Sequence, residues 1–327
     1  MALKVQLKTP QIMLWVLGAL VPGIAAMTSV WGLGVLWNVA AASLFCVVLD
    51  TLITVMQQQA TSGATLWQRL GWSDPDYSTL VTAWLMAICM PPYTSLGIHL
   101  LAALAAIGLA KYAYGGLGRN VFNPAMVGYA VVLISFPQGL ANWPALHPEL
   151  AGSALVDSLT GATPLSEFRY RGGLTVAEFE TLHAAALSEQ LLISGAFALG
   201  GLSMLYARII GWRIPLGLVA GIALAALLGG DQGSSASHGG VWLHATTGGF
   251  VAAAFFVATD PVTHPRHPRD QLYFALLVGV LIYVIRGFGS FPDGIAFAIL
   301  LGNCLTPLLN RRRQHTLTDS SGQESRG

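Results

Sequence analysis

The sequence predicts an all-α integral membrane protein of about ten transmembrane helices, arranged as two inverted five-helix repeats. Three observations lead there. Hydrophobic residues make up 54% of the 327 residues and charged residues only 9%, against roughly 25% charge in a soluble protein. Apolar runs long enough to cross roughly 30 Å of hydrocarbon recur along the chain, and the two halves share similar proline and glycine punctuation. So few charges cannot clothe a water-facing surface, and disorder, coiled coil and collagen need quite different compositions. The net charge of +1, from 16 Lys+Arg and 15 Asp+Glu, offers no basic field to nucleic acid. Cys46, Cys89 and Cys304 lie in apolar stretches without a CxxC pair, which argues against a disulfide framework or a zinc or iron–sulfur site.

Taken in order, the expected spans cover residues 12–31, 34–56, 78–93, 95–113, 121–137, 190–207, 214–229, 241–259, 271–286 and 294–309. The third and fifth are short and bounded by proline. A cleaved signal peptide is the competing reading of the first, because Lys4 and Lys8 precede it. The apolar run continues past a plausible cleavage point and further spans follow, so it is taken as a helix. The organisation expected is a first membrane half (1–137), an external loop with few core contacts (138–189), a second membrane half (190–310) and a mobile polar tail (311–327).

Cations set the orientation. With the N-terminus cytoplasmic, only Arg169, Arg171 and Arg286 of the 16 Lys+Arg fall on the outer side, a strong positive-inside bias. Both termini are then cytoplasmic, and the acidic loop carrying Glu149, Asp157, Glu167, Glu178, Glu180 and Glu189 is external. The repeat is weaker. Ser78-Thr79-Leu80-Val81-Thr82-Ala83 opens a run ending at Pro91-Pro92, followed by Gly115-Gly116-Leu117-Gly118. Thr246-Thr247-Gly248-Gly249-Phe250-Val251 opens one ending at Asp260-Pro261, followed by Arg286-Gly287-Phe288-Gly289. Five spans per half invert the second copy, and interrupted spans at matching positions point to a binding site between the halves. Chance similarity between apolar helices is the alternative.

No soluble-enzyme motif appears: there is no GxSxG, P-loop or GxGxxG. His264 and His267 flank Pro265 on an inner loop and read as a solvated turn, since two histidines alone make a poor metal site. His99 reads as a packed or interfacial histidine. Neither a catalytic side chain nor a metal ligand is assigned. Asp50, near the inner end of the second span, either serves ion conduction or reaches the interface. Arg286 and Asp293 read as a structural ion pair.

Asp157-Ser158-Leu159-Thr160-Gly161-Ala162-Thr163-Pro164, in the external loop, admits two readings. It can be a turn and helix start, with Thr163 as N-cap and Pro164 at the first helical position. Small residues around a hydroxyl also suit a bulky group approaching it, and a free helix N-terminus favours phosphate. This stretch resembles the signature at which a flavin transferase links FMN, through its phosphate, to the final threonine. Two further segments match the same family in order: Lys111-Tyr112-Ala113-Tyr114-Gly115-Gly116-Leu117-Gly118-Arg119-Asn120-Val121-Phe122-Asn123-Pro124-Ala125-Met126-Val127-Gly128-Tyr129, and Ala258-Thr259-Asp260-Pro261-Val262-Thr263 with Phe291-Pro292-Asp293-Gly294. From about residue 10 to 313 the chain resembles the D subunits of Rnf (Rsx) ion-translocating electron transport complexes. The B subunits of sodium-pumping NADH:quinone reductases, which carry a long cytoplasmic N-terminal extension, are a more distant likeness.

The resemblance implies a flavin-carrying subunit of a six-subunit complex in the bacterial inner membrane, coupling electron flow between ferredoxin and NAD to movement of sodium or protons. It implies FMN esterified to Thr163 on the periplasmic side. Asp157, Thr160, Gly161 and Ala162 would be the strip read by the flavin transferase. It also implies a second, noncovalent flavin, riboflavin, between the halves, near Asn120, Asn123 and Asp260; helix capping is the alternative role for the two asparagines. Ser62-Gly63-Ala64-Thr65 repeats the short core of the attachment motif, but Gln59 stands where Asp157 stands relative to Thr163. Thr65 also falls on the cytoplasmic side, so Thr163 is the expected site. The rival function is a small-solute permease or channel, for which an inverted repeat is a common plan.

Overall fold

The computed structural model describes residues 8–58, 77–144, 160–161, 163–229, 233–289, 291 and 293–324. Its helices are α1 (Thr9–Trp31), α2 (Gly34–Gln58), α3 (Ser78–Ala87), α4 (Leu96–Tyr112), α5 (Pro124–Ser135) and α6 (Pro137–Ala141). After two short strands come α7 (Pro164–Arg169), α8 (Val176–Leu182), α9 (Ala184–Tyr206), α10 (Arg213–Leu228), α11 (Val241–Thr246), α12 (Phe250–Ala252, running on as a π-helical turn Ala253–Val257), α13 (Pro268–Phe288) and α14 (Ile295–Glu324). By length and composition, α1, α2, α9 and α13 can cross a membrane unaided, while α3, α4, α5, α10 and Ile295–Arg311 are shorter apolar helices. Nine of the ten expected spans thus meet an apolar helix, the exception being 241–259 with its short helical pieces, and the fold is an all-helical membrane protein. Several helices begin where a polar side chain precedes proline: Asn123-Pro124, Thr163-Pro164 and His267-Pro268 each accept a backbone N–H in the first turn. The N–H that proline lacks would have had no partner in the helix anyway.

Two expected spans are broken. Residues 78–93 do not form one crossing: α3 ends at Ala87 after 10 residues, about 15 Å. The chain then turns through Pro91, Pro92 and Tyr93, which takes φ +59. Span 241–259 is likewise interrupted, at Thr247-Gly248-Gly249 between α11 and α12, with Gly248 at φ +63. Proline cannot donate to a helix ladder, and glycine alone accepts that backbone freely. Non-helical backbone at membrane depth persists only where protein or a cavity receives it, so both breaks point inward. Beyond the last expected span α14 continues as helix to Glu324, since extending a formed helix needs no new nucleus.

The packing of the two halves corresponds. α1 meets α3 as α9 meets α12; α2 meets α3 as α10 meets α11. α2 packs on α4 as α10 packs on α13, and α4 on α5 as α13 on α14. The halves join through α1 with α9 and α5 with α14. Two glycines make these contacts close. A Cβ at Gly200 would collide with the Ala19 carbonyl oxygen, and one at Gly221 with that of Leu276. Close backbone approach of this kind is how membrane helices gain packing energy without a hydrophobic driving force between them.

Candidate functional site

Among the described residues, two cavities lie back to back along the join between the halves, and Leu85 lines both. The first, of about 140 Å³, is bordered by both backbone breaks, through Ile88 and Cys89 and through Gly248 and Gly249. Thr163, Tyr129, Gln190, Ser194 and Asp293 supply its polar lining, and Trp31 and Trp143 its aromatic wall. Thr163 is half-buried. Its Oγ1 accepts the Ser166 N–H at 3.3 Å and donates to Ser166 Oγ at 3.2 Å, so it is the N-cap that the sequence offers. With only six residues in α7, the helix end itself lends an anion little field. The hydroxyl faces a cavity and keeps only local partners, an arrangement a bulky substituent on that oxygen can occupy.

The segment around Thr163 is not the loosely attached loop expected. Phe168, Val176, Phe179 and Leu243 form a small apolar core beneath it, and Arg169 Nη1 donates to the Arg286 carbonyl at 3.1 Å. Arg171 donates to carbonyls of Phe168, Leu174, Ser234, Ser235 and Ser237. Aromatic residues at Phe168 and Phe179 and these arginines explain the difference, since they seat α7 and α8 on the helical body. Burial raises the Glu167 carboxyl above its usual range, opposed by His183 at 3.6 Å. Thr160 and Gly161 form a strand paired antiparallel with Trp143-Pro144, and the Trp143 ring lies 4.8 Å from that of Trp31. The stretch leading to Thr163 and the cavity wall are therefore joined by one strand pair. Asp157 and Ala162, like Gln59 and Thr65, lie outside the described residues.

The second cavity, about 410 Å³, is large enough for a small-molecule ligand. Asn120, Asn123 and Asp260 all line it, as do Lys111 and His264. Each candidate also has structural work. Asn123 caps α5, accepting Met126 N–H at 3.2 Å, and its Nδ2 donates to the Val257 carbonyl at 3.4 Å across the join. Asn120 bonds locally to Phe122. Asp260 accepts Val262 N–H at 3.2 Å and the Thr263 hydroxyl at 3.1 Å. Both readings of the asparagines therefore coexist: they cap and brace the backbone while bordering one cavity. His267 accepts the Arg269 N–H at the start of α13, a turn role.

Sequence reading missed three features. Asn303, buried on α14, accepts the Asn123 N–H at 3.0 Å and donates to the Thr263 carbonyl at 3.1 Å. It links the Asn123 and Asp260 motifs. Lys111, also buried, pairs with Asp50 at 3.0 Å and donates to Thr79 at 2.8 Å and Ser78 at 3.3 Å. Asp50 is thereby an ion-pair partner. Arg286 and Asp293 form the expected pair at 3.3 Å, and Arg286 donates to the His244 and Thr247 carbonyls. In each half, then, a buried cation near the end of the fourth span grips the start of the third. The third missed feature is Gln190.

A comparison with family models matches residues 3–318 to the family described as NQR2, RnfD, RnfE. Among curated proteins, the D subunit of an ion-translocating oxidoreductase complex from Ectopseudomonas mendocina is 40% identical over 318 residues, covering 93% of this chain and 90% of the relative. Its counterpart of the same description from Pseudomonas aeruginosa is 39% identical over 319 residues, with the same coverage. Another, from Vibrio cholerae, is 34% identical over 334 residues, covering 92% of each chain. With nearly its whole length matched, over helices, breaks and both cavity-lining motifs, the chain belongs to the NQR2, RnfD, RnfE family.

Proposed function

We propose that this chain is the flavin-carrying membrane subunit of an ion-translocating electron transport complex of Rnf type, with six subunits, coupling ferredoxin/NAD electron transfer to movement of sodium or protons. FMN is esterified through its phosphate to Thr163 by a flavin transferase that reads Asp157, Thr160, Gly161 and Ala162. A second flavin, riboflavin, sits noncovalently in the cavity bordered by Asn120, Asn123 and Asp260. The observation that carries the reading is the position of Thr163: the one threonine that ends the motif lines a cavity between the halves. FMN when bound supplies electron transfer; the protein supplies position and electrostatics. Thr163 holds the cofactor at the cavity mouth, the α7–α8 core fixes that threonine to the membrane body, and the Trp31–Trp143 wall keeps bulk water out.

The halves 1–137 and 190–310 form inverted repeats in the bacterial inner membrane, with both termini cytoplasmic and Thr163 periplasmic. The charge bias supports this sidedness. A cysteine placed at Ser166 is expected to react with a membrane-impermeant reagent in intact cells whose outer membrane admits it. Reaction only after lysis would reverse the orientation. A permease built on an inverted repeat is the second reading, favoured by the cavities alone, but it gives no use to the attachment motif. A denatured gel band decides between them: flavin fluorescence on the band selects the redox subunit, and its absence selects the permease.

A further inference from the structure

The first cavity holds polar groups whose partners are missing from the fold's own bonding. Its Ser194 hydroxyl donates to the Thr246 carbonyl, Asp293 accepts the Gly249 N–H and the Arg286 guanidinium, and Thr163 bonds Ser166. Gln190 differs. It is 4% exposed, it lines the cavity, and its amide makes no hydrogen bond with any described residue. The Tyr129 hydroxyl, from α5 across the join, is likewise without one. A buried amide costs free energy unless it is paired, and polar residues inside the membrane are expensive. The surrounding wall is aromatic and aliphatic: Trp31, Trp143, Phe197, Ile193 and Leu85.

We infer that Gln190 and Tyr129 bind the polar edge of a flat conjugated heterocycle in this cavity, acting as positioning residues for it. The inference rests on the Thr163 reading, which makes that heterocycle the tethered isoalloxazine. A primary amide offers one acceptor and two donors, the complement of an imide edge with alternating carbonyl and N–H. A phenol adds a donor to one carbonyl. Trp31 and Trp143, tilted 56° to one another, line the cavity and give the ring apolar surroundings. The negative charge of a reduced flavin spreads onto the carbonyls of that edge, so donors there favour the reduced form.

The test uses the whole complex in detergent, with the covalent flavin as its own probe. Gln190→Leu keeps the label, because the transferase acts at the motif and not at α9. It should lower the equilibrium constant for flavin reduction about tenfold, the effect of one hydrogen bond to a charged group, and raise flavin emission in the native protein as the ring leaves its aromatic wall. Tyr129→Phe removes one oxygen with little risk to folding and should shift the potential in the same direction. Gln190→Glu, which places a carboxylate where the amide stood, should shift it further. A labelled Gln190→Leu and a labelled Tyr129→Phe with wild-type potential and emission would overturn the inference alone. An unlabelled wild-type peptide would overturn the Thr163 reading and this inference with it.

Discussion

Thr163→Val is expected to abolish covalent flavin and electron transfer through the complex while leaving the membrane body folded. Valine matches threonine in volume but removes the only atom that could carry the phosphoester. It also removes the N-cap of α7, since Thr163 Oγ1 accepts the Ser166 N–H, a loss of about 1 kcal/mol. That loss is local, because the Phe168–Phe179 core and the arginine bonds remain beneath α7. Thr163→Ser, which keeps a hydroxyl and a cap, separates the two effects. In-gel fluorescence together with size-exclusion behaviour reads the outcome. Fluorescent Thr163→Val protein would place the flavin elsewhere.

Asp50→Asn is expected to destabilise the first half by roughly 3 kcal/mol, the low end of what breaking a buried pair costs. The Lys111 side chain is 5% exposed against 21% for Asp50, so removing the acid takes a counter-charge from the more buried partner. The Thr79 and Ser78 hydroxyls remain among the partners of Lys111. Adding Lys111→Met to Asp50→Asn removes that charge and should recover much of the loss, a strong positive coupling between the two sites. Thermal unfolding in detergent measures it. Additive losses would mean the ion pair does not brace α2, α3 and α4 as its geometry indicates.

How much of this was legible in the sequence depended on the kind of signal. Hydrophobic runs placed nine of the ten expected spans on apolar helix, because the bilayer demands long apolar stretches. Pro91-Pro92 and Gly248-Gly249 foretold interruptions but not their consequence, since a broken span and a short one look alike in hydropathy. Thr163 as N-cap and the Arg286–Asp293 pair were readable because their partners lie within a few residues. Lys111 and Asp50 are 61 positions apart, and Asn123 and Asn303 180; nothing local connects them. Gln190 is one polar residue at the start of an apolar run, with no period or motif to single it out. The seating of α7 and α8 was missed for a similar reason: an acidic loop composition hides the few aromatic residues that anchor it.

The central claim is the ester at Thr163, and mass spectrometry of the peptide spanning that residue tests it most directly. Wild-type protein, made in a host that possesses the flavin transferase, should yield that peptide heavier by FMN less one water, with Thr65 unmodified. An unmodified Thr163 peptide from the same preparation would contradict the account and return the two cavities to a solute permease.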